Sequence, residues 1–266
     1  MSPVRFPARW AELATTDFAD PEMRRAVAIL PVGAIEQHGP HLPLATDSII
    51  SQGIVEAALA RLEPGVPAVV LPAQEIGTSQ EHISFAGTLS IDAASLIRNW
   101  TSVAEGVHRA GLRKLVVFNS HGGQAGVPEL VAADLRSRLG MIVSWASPGA
   151  FGAPEGIVDR HEAVHGLHGG LKETAILLHL RPELVRRDQL RRFASRGEAM
   201  TAEYARLRAA GRTGFGWAAQ DLNAAGVTGD AAGATAELGR RLVEHAAQGL
   251  AELIADLARF ELPSPG

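Results

Sequence analysis

Residues 26–47 read AVAILPVGAIEQHGPHLPLATD, an apolar run followed by a turn-rich segment that holds two carboxylates and two imidazoles. The run at 26–32 has the length and β-branched content of a short buried strand. Imidazole nitrogen and carboxylate oxygen are ligands that zinc and manganese accept in proteins. Glu36, His38 and Asp47 at the end of this strand therefore predict a divalent metal site.

Asp47 also has a purely structural interpretation. A helical pattern opens around this residue, so its side chain could simply accept a hydrogen bond from a backbone N–H at the helix start. The backbone around the histidines is restricted by Pro40 and Pro43, and Gly39 allows unusual dihedral angles. These features favour an ordered metal site over a solvated loop. Both interpretations of Asp47 place it near a helix N-terminus.

The composition limits the classes of function. The chain has 266 residues, 46% of them hydrophobic, which is enough for a large core in one α/β domain. No stretch is apolar enough to cross a bilayer, and residues 1–7 lack the apolar region of a secretory signal, so a cytoplasmic location is expected. Without cysteine, any metal must be bound by His, Asp and Glu. The net charge of −4, with signs interspersed, argues against a nucleic-acid partner.

Short β-branched runs alternate with helical periods along the first half of the chain. The pattern predicts strands at 26–32, 68–71, 114–118 and 141–145. It predicts helices between them at 47–61, 92–110 and 126–139. In the second half it predicts helices at 170–180, 198–210 and 231–260. Strands that alternate with helices indicate an α/β fold with a mostly parallel sheet covered on both faces.

A second polar cluster, NSHGGQ at 119–124, follows the predicted strand at 114–118. The two glycines after His121 allow the backbone to approach a ligand closely. Ligands of open parallel sheets gather outside the C-terminal ends of the strands, so His121 is expected to face the cluster at the end of the first strand. The alternative is a helix-capping or core histidine.

A third cluster, DRHEAVHGLHGGLKET at 159–174, holds three of the ten histidines. His168 and Glu173 are five residues apart, about 140° around a regular helix, so they would not share a face if both were helical. Two glycines after His168 instead place it in a turn, with Glu173 in the first turn of the next helix, and both side chains can then point to one place. The neighbouring polar residues are expected in solvent or in loops: His161, Glu162 and His165.

The three clusters together resemble the creatininase (creatinine amidohydrolase) family. The matching stretches are LPVGAIEQHGPHLPLATD at 30–47, NSHGG at 119–123 and HGGLKETAILLHLRPELV at 168–185, with weaker matches at 79–92 and 221–230. The resemblance covers nearly the whole chain. It implies one domain over residues 1–266, a three-layer α/β/α sandwich with a mostly parallel sheet. It also implies a homohexamer with two divalent metal ions per chain, zinc or manganese.

The resemblance also implies roles for individual residues. Five side chains would hold the metals: Glu36, His38, Asp47, His121 and Glu173. Glu36 and His121 would bind one ion and His38 the other, with Asp47 as the bridge. His168 matches the catalytic histidine of the family and would pass a proton to the leaving nitrogen.

Three positions depart from the pattern of the creatinine-hydrolysing members. Those members have a glutamate at the position of Gly123, a tryptophan lid at that of Val164 and a glutamate at that of Leu167. Such losses change the hydrogen-bonding surface of a pocket and can shift selectivity by orders of magnitude, so creatinine is not the favoured substrate. The expected reaction is hydrolysis of a non-peptide C–N bond, in a small cyclic amide or formamide, by a water that two metals activate.

Two other functions are compatible with the residues. One is a peptidase that trims the ribosomally made precursor of a cofactor. The other is a non-catalytic binding or scaffold protein on the same fold, but such a protein would need none of the predicted ligands. Covalent catalysis is disfavoured, because the chain has neither a cysteine nor a G-x-S-x-G motif.

Overall fold

Five parallel strands form the central sheet of the computed structural model, which describes residues 4–262. In the order in which they lie across the sheet they are β1 (Ala8–Arg9), β3 (Ala68–Val70), β2 (Val27–Val32), β4 (Lys114–Asn119) and β5 (Ile142–Ala146). Strands β2 and β4 are buried throughout and pair along their whole length. The two strand ends that carry the predicted site are therefore neighbours.

Helices cover both faces of this sheet. One face is covered by α1 (Thr46–Leu59), α5 (Leu171–Leu180) and α8 (Ala236–Arg259), and the other by α2 (Ala93–Arg109) and α3 (Val127–Leu139). Side chains of β2 alternate between the two cores, with Val27 and Ile29 in one and Ala28 and Leu30 in the other. The predicted three-layer α/β/α sandwich is confirmed. In the described residues, no helix combines the length and apolar character needed to span a membrane.

Helices α5 and α8 pack closely because Gly239 has no side chain. A Cβ at this position would lie 1.8 Å from the carbonyl oxygen of Ala175, far inside van der Waals contact. A larger residue would therefore force the two helices apart. The close packing matters for the site, since Glu173 lies in the first turn of α5.

One predicted helix is wrong over much of its length. Helix α6 ends at Glu203, whereas the sequence predicted a helix over 198–210. Tyr204 is extended, and the Arg208 guanidinium donates hydrogen bonds to the carbonyl groups of Tyr204 and Leu207. These bonds satisfy backbone acceptors outside a helix, so the chain from 204 to 218 forms an irregular loop.

Short elements complete the second half of the chain: α4 (Arg160–His165), β6 (Arg192–Phe193), α6 (Arg196–Glu203), α7 (Ala219–Leu222) and β7 (Gly229–Asp230). Strands β6 and β7 pair antiparallel, apart from the main sheet. The last predicted helix begins later than expected, at Ala236, where the Thr235 hydroxyl accepts a hydrogen bond from the Leu238 N–H at 3.1 Å.

Candidate metal centre

The predicted ligands meet at the C-terminal edge of the sheet. Glu36 and His38 lie in the loop after β2, Asp47 in the first turn of α1, and His121 after the end of β4. All four are buried, with at most 3% of their surface exposed. Glu173 reaches the same place from the first turn of α5. The neighbouring positions of β2 and β4 explain why segments so distant in sequence come together.

Glu36, Asp47 and His121 form a first ligand group. Nδ1 of His121 lies 3.3 Å from Oε1 of Glu36 and 3.3 Å from Oδ2 of Asp47. Bonds from zinc to such atoms are ~2.0–2.2 Å, so two atoms that share one ion are at most about 4.4 Å apart. These three side chains could therefore hold one divalent ion.

His38, Asp47 and Glu173 form a second group. Nε2 of His38 lies 3.6 Å from Oδ1 of Asp47 and 3.7 Å from Oε2 of Glu173. Asp47 thus belongs to both groups and presents a different oxygen to each. A carboxylate in this position can bridge two ions.

The two ligand groups contain buried polar atoms that have no hydrogen-bond partner. In residues 4–262, six buried side-chain atoms have no hydrogen-bond partner, and four of them belong to the two groups: Glu36 Oε1, Glu36 Oε2, His38 Nε2 and Asp47 Oδ2. Burial of such atoms without a partner costs about 1–3 kcal/mol each, and more for a charged group. Divalent cations would supply the missing partners, so the residues present fit a pair of metals.

Hydrogen bonds to the backbone orient both imidazoles. Nδ1 of His38 donates to the carbonyl oxygen of Glu36 at 3.1 Å, which leaves Nε2 free to face Asp47. Nε2 of His121 donates to the carbonyl oxygen of Thr78 at 2.8 Å, which leaves Nδ1 free. A second nitrogen held in this way fixes the tautomer and ring orientation of a metal-binding histidine.

The charges in this site depend on one another. Burial lowers the pKa of His38, but the carboxylates of Asp47 and Glu173 outweigh it and raise that pKa to about 9. Burial also opposes ionisation of Asp47, yet His38 and His121 bring the pKa of Asp47 below its usual value. Without a metal, protons on the imidazoles thus balance the buried carboxylates, and bound cations would take over that role.

The structural alternatives for two of these residues do not hold. The N-cap of α1 is Ala45, and Asp47 makes no capping hydrogen bond. His121 is the N-cap of a 3₁₀ turn, but its side chain makes no capping hydrogen bond either. Both side chains instead face the other predicted ligands.

His168 lies beside both ligand groups. Its Nε2 donates to the carbonyl oxygen of Gln37 at 2.7 Å, and its Nδ1 lies 3.7 Å from Oε1 of Glu36. Its ring centre is 4.2 Å from that of His38. Burial, followed by the charge on His38, lowers the pKa of His168. The position suits a proton-transfer group, and it is also close enough to Glu36 and His38 for His168 to be a ligand.

Sequence reasoning missed two residues of the site, Glu81 and His82. They lie in a 3₁₀ turn, Gln80–His82, after β3. Nε2 of His82 is 3.3 Å from Oε1 of Glu36, and its ring stacks on His168 with centres 4.2 Å apart. Burial lowers the pKa of His82 to about 3. Their only signal in the sequence was the weaker match at 79–92.

The prediction that Glu162 is solvated is wrong. Its side chain is buried, Oε1 accepts the N–H of Leu171 at 2.8 Å, and Oε2 accepts the N–H of Asp230 at 2.9 Å. Glu162 thereby connects the start of α5 to β7. His161 is exposed and His165 is half-buried, as expected for residues outside the site.

A cavity of about 250 Å³ opens beside the ligand groups. It is lined by carboxylates and imidazoles of the site and also by Leu167, Ala210 and Trp217. The indole N–H of Trp217 donates to the carbonyl oxygen of Ala209 at 2.7 Å, which fixes the ring. A cavity lined by apolar side chains and a few convergent polar groups is typical of a small-molecule site.

Several known proteins are similar to this chain in sequence. A family model, Creatinine amidohydrolase, matches residues 11–254. The mycofactocin precursor peptide peptidase of Mycobacterium ulcerans is 34% identical over 250 residues, which cover 90% of this chain and 86% of that protein. The creatinine amidohydrolase of Pseudomonas putida is 28% identical over 62% of this chain and 68% of its own length.

Solved creatininases share the fold. A creatininase variant of zinc–zinc type matches with a TM-score of 0.74 and 25% identity, over 93% of this chain and 97% of the other. A manganese creatininase matches over the same shares with a TM-score of 0.74 and 24% identity. These findings confirm the resemblance found in the sequence. Because the family model spans most of its length, this chain belongs to the creatininase family of hydrolases.

Proposed function

We propose that this protein hydrolyses an amide bond with a water activated by two divalent cations, zinc or manganese. The observation that carries the proposal is the position of Asp47, whose two carboxylate oxygens face different ligand groups in a buried site. Cations bound there would lower the pKa of a shared water from 15.7 toward ~7 and polarise the carbonyl of the substrate. The chain contributes the bridge, the oriented imidazoles and the cavity.

His168 is the proton-transfer residue in this proposal. The carbonyl of Gln37 holds one ring nitrogen, and the other faces Glu36 at the edge of the ligand groups. Burial disfavours its charged form, so the ring is available to take a proton and pass it to the leaving nitrogen. This role requires that both metals bind without help from His168.

The substrate class that we propose is a peptide amide next to an apolar side chain. Two observations support it over the non-peptide C–N bond expected from the sequence alone. The relatives similar over most of the chain are peptidases that act on a precursor peptide. The wall of the cavity formed by Leu167, Ala210 and Trp217 could also pack against an apolar group beside the scissile bond.

A small cyclic amide or formamide is the second candidate substrate. It is supported by the similarity to a creatinine amidohydrolase, which covers a smaller share of the chain. Against creatinine itself stand Gly123, Val164 and Leu167, where the creatinine-hydrolysing members have two glutamates and a tryptophan. A scaffold role has the least support, because buried carboxylates without partners would be a cost with no function.

The test combines metal analysis with a substrate panel. Purified protein should contain about two zinc or manganese ions per chain. It should hydrolyse short peptides with an apolar residue beside the cleaved bond, and it should do so faster than cyclic amides or formamides. Protein stripped with a chelator should be inactive until metal is restored. A protein without bound metal, or one equally active after stripping, would contradict the proposal.

We also propose that the chain assembles as a homohexamer, as its family resemblance implies. Large apolar side chains are exposed on and beside the edge strand β5, where Trp145 is 45% exposed and Leu130 of α3 is 58% exposed. Such residues are commonly covered in assemblies. Light scattering at micromolar concentration should give six times the mass of the chain, and a monomer would contradict the proposal.

A further inference from the structure

The backbone at Gly123 leaves space that the side chain of Glu81 fills. A Cβ at 123 would lie 1.9 Å from Oε1 of Glu81 and 2.7 Å from Nε2 of His121. Distances under 3.0 Å require one of the groups to move. A side chain at 123 and the present position of Glu81 therefore exclude each other.

Glu81 reaches this space from a different segment, the turn Gln80–His82. Its Oε1 lies 3.9 Å from Nε2 of His121 and 3.9 Å from Nε2 of His82. Its carboxylate lines the cavity together with those of Glu36, Asp47 and Glu173.

The charge of the two cations suggests a role for the Glu81 carboxylate. Glu36, Asp47 and Glu173 carry three negative charges, whereas two divalent cations carry four positive charges. Glu81 is the fourth carboxylate that lines the cavity. Its negative charge would help to offset the charge of the two cations in a buried site, where an uncompensated charge is costly.

We propose that Glu81 is a carboxylate of the metal centre and supplies a negative charge to it from the turn after β3, through the space that the missing side chain at Gly123 leaves. The proposal rests on the two-metal function proposed above. It makes Gly123 a requirement of the site, because the absence of a side chain there admits the Glu81 carboxylate next to His121.

The experiment measures metal affinity by competition with a chromophoric chelator, so that activity is not needed. E81Q, which keeps the size of the side chain but removes its charge, should bind at least one cation about 10–100-fold more weakly, the usual effect of a group around metal ligands. E75Q is the matched control, since Glu75 is exposed and outside the cavity. It should bind both cations as the wild type does. Thermal unfolding of each variant checks that it is folded.

Each outcome of this experiment separates the present inference from the proposed function. Unchanged affinity in E81Q, with two cations still bound to the wild type, would overturn this inference and leave the proposed function standing. A wild type that binds no cations would overturn both.

Discussion

Replacement of Asp47 by asparagine should remove both metals at once. Asp47 is common to the two ligand groups, with Oδ2 at 3.3 Å from Nδ1 of His121 and Oδ1 at 3.6 Å from Nε2 of His38. An amide provides one neutral oxygen and cannot bridge two cations. D47N should therefore fall from about two ions per chain to nearly none. E173Q, which affects the second group alone, should keep about one ion.

The loss of both metals in D47N should also be visible in the increase of Tm that metal binding causes. A cation present at 100 times its Kd stabilises the folded state by ~2.7 kcal/mol, so two cations that each bind with such an excess add about 5.4 kcal/mol. For a chain of this size, 1 kcal/mol shifts Tm by roughly 2–4 °C, so metal should raise the Tm of the wild type by roughly 10–20 °C. D47N should show almost no shift, and E173Q about half.

The assay compares Tm with and without metal for each protein, so that effects on the metal-free fold cancel. D188N is a matched control, because Asp188 is exposed and distant from the ligand groups. It should show the full wild-type shift. If D47N retained one tightly bound ion and half of the shift, the two groups would be independent, and the bridging role of Asp47 would be wrong.

Three further predictions address the proton, the substrate and the pH. H168A should keep both metals and lose turnover by roughly 10²–10⁴-fold; a parallel fall in metal content would make His168 a ligand. W217A should lower kcat/KM for peptides with an apolar residue at the cleaved bond by roughly tenfold or more, since such a contact contributes about 1.5–3 kcal/mol. F215A changes a residue in the same loop but outside the cavity, so it should leave kcat/KM unchanged. Equal effects of W217A and F215A would refute the proposed contact between Trp217 and the substrate. Because the pKa of His38 is raised to about 9 in the metal-free chain, a cation must displace its proton at neutral pH. Metal affinity measured by calorimetry should therefore rise as pH increases toward 9, about tenfold per unit for each proton displaced, and an affinity independent of pH would contradict this.

The sequence could predict the part of the site that lies at strand ends. Glu36, His38 and His121 follow apolar runs with the length of buried strands, and parallel strands bring their C-terminal ends to one edge. The turn that two glycines create before α5 allowed Glu173 to point toward His168, but only the family resemblance implied that it is a ligand. In each case, a local pattern determines where the side chain goes.

The remainder of the site depends on packing between distant segments. Glu81 and His82 lie in a short 3₁₀ turn without periodicity, so nothing local predicts that they face Glu36. Trp217 lies in the loop at 204–218, part of which the sequence predicted as helix. That segment is not helical although its sequence favours a helix, and Arg208 donates hydrogen bonds to its backbone carbonyls instead. The burial of Glu162 was not predicted for a similar reason, since one of its two backbone partners, Asp230, is 68 residues away in sequence.

The buried carboxylate of Glu162 acts as a non-covalent cross-link within the chain. It holds the amide of Leu171, two residues before Glu173, and the amide of Asp230 at the same time. The position of Glu173, a predicted ligand, thus depends through the backbone of α5 on the hydrogen bonds of Glu162, which is not itself a predicted ligand. Inactive variants at 162 would therefore resemble active-site variants in a genetic screen, although their defect would be architectural.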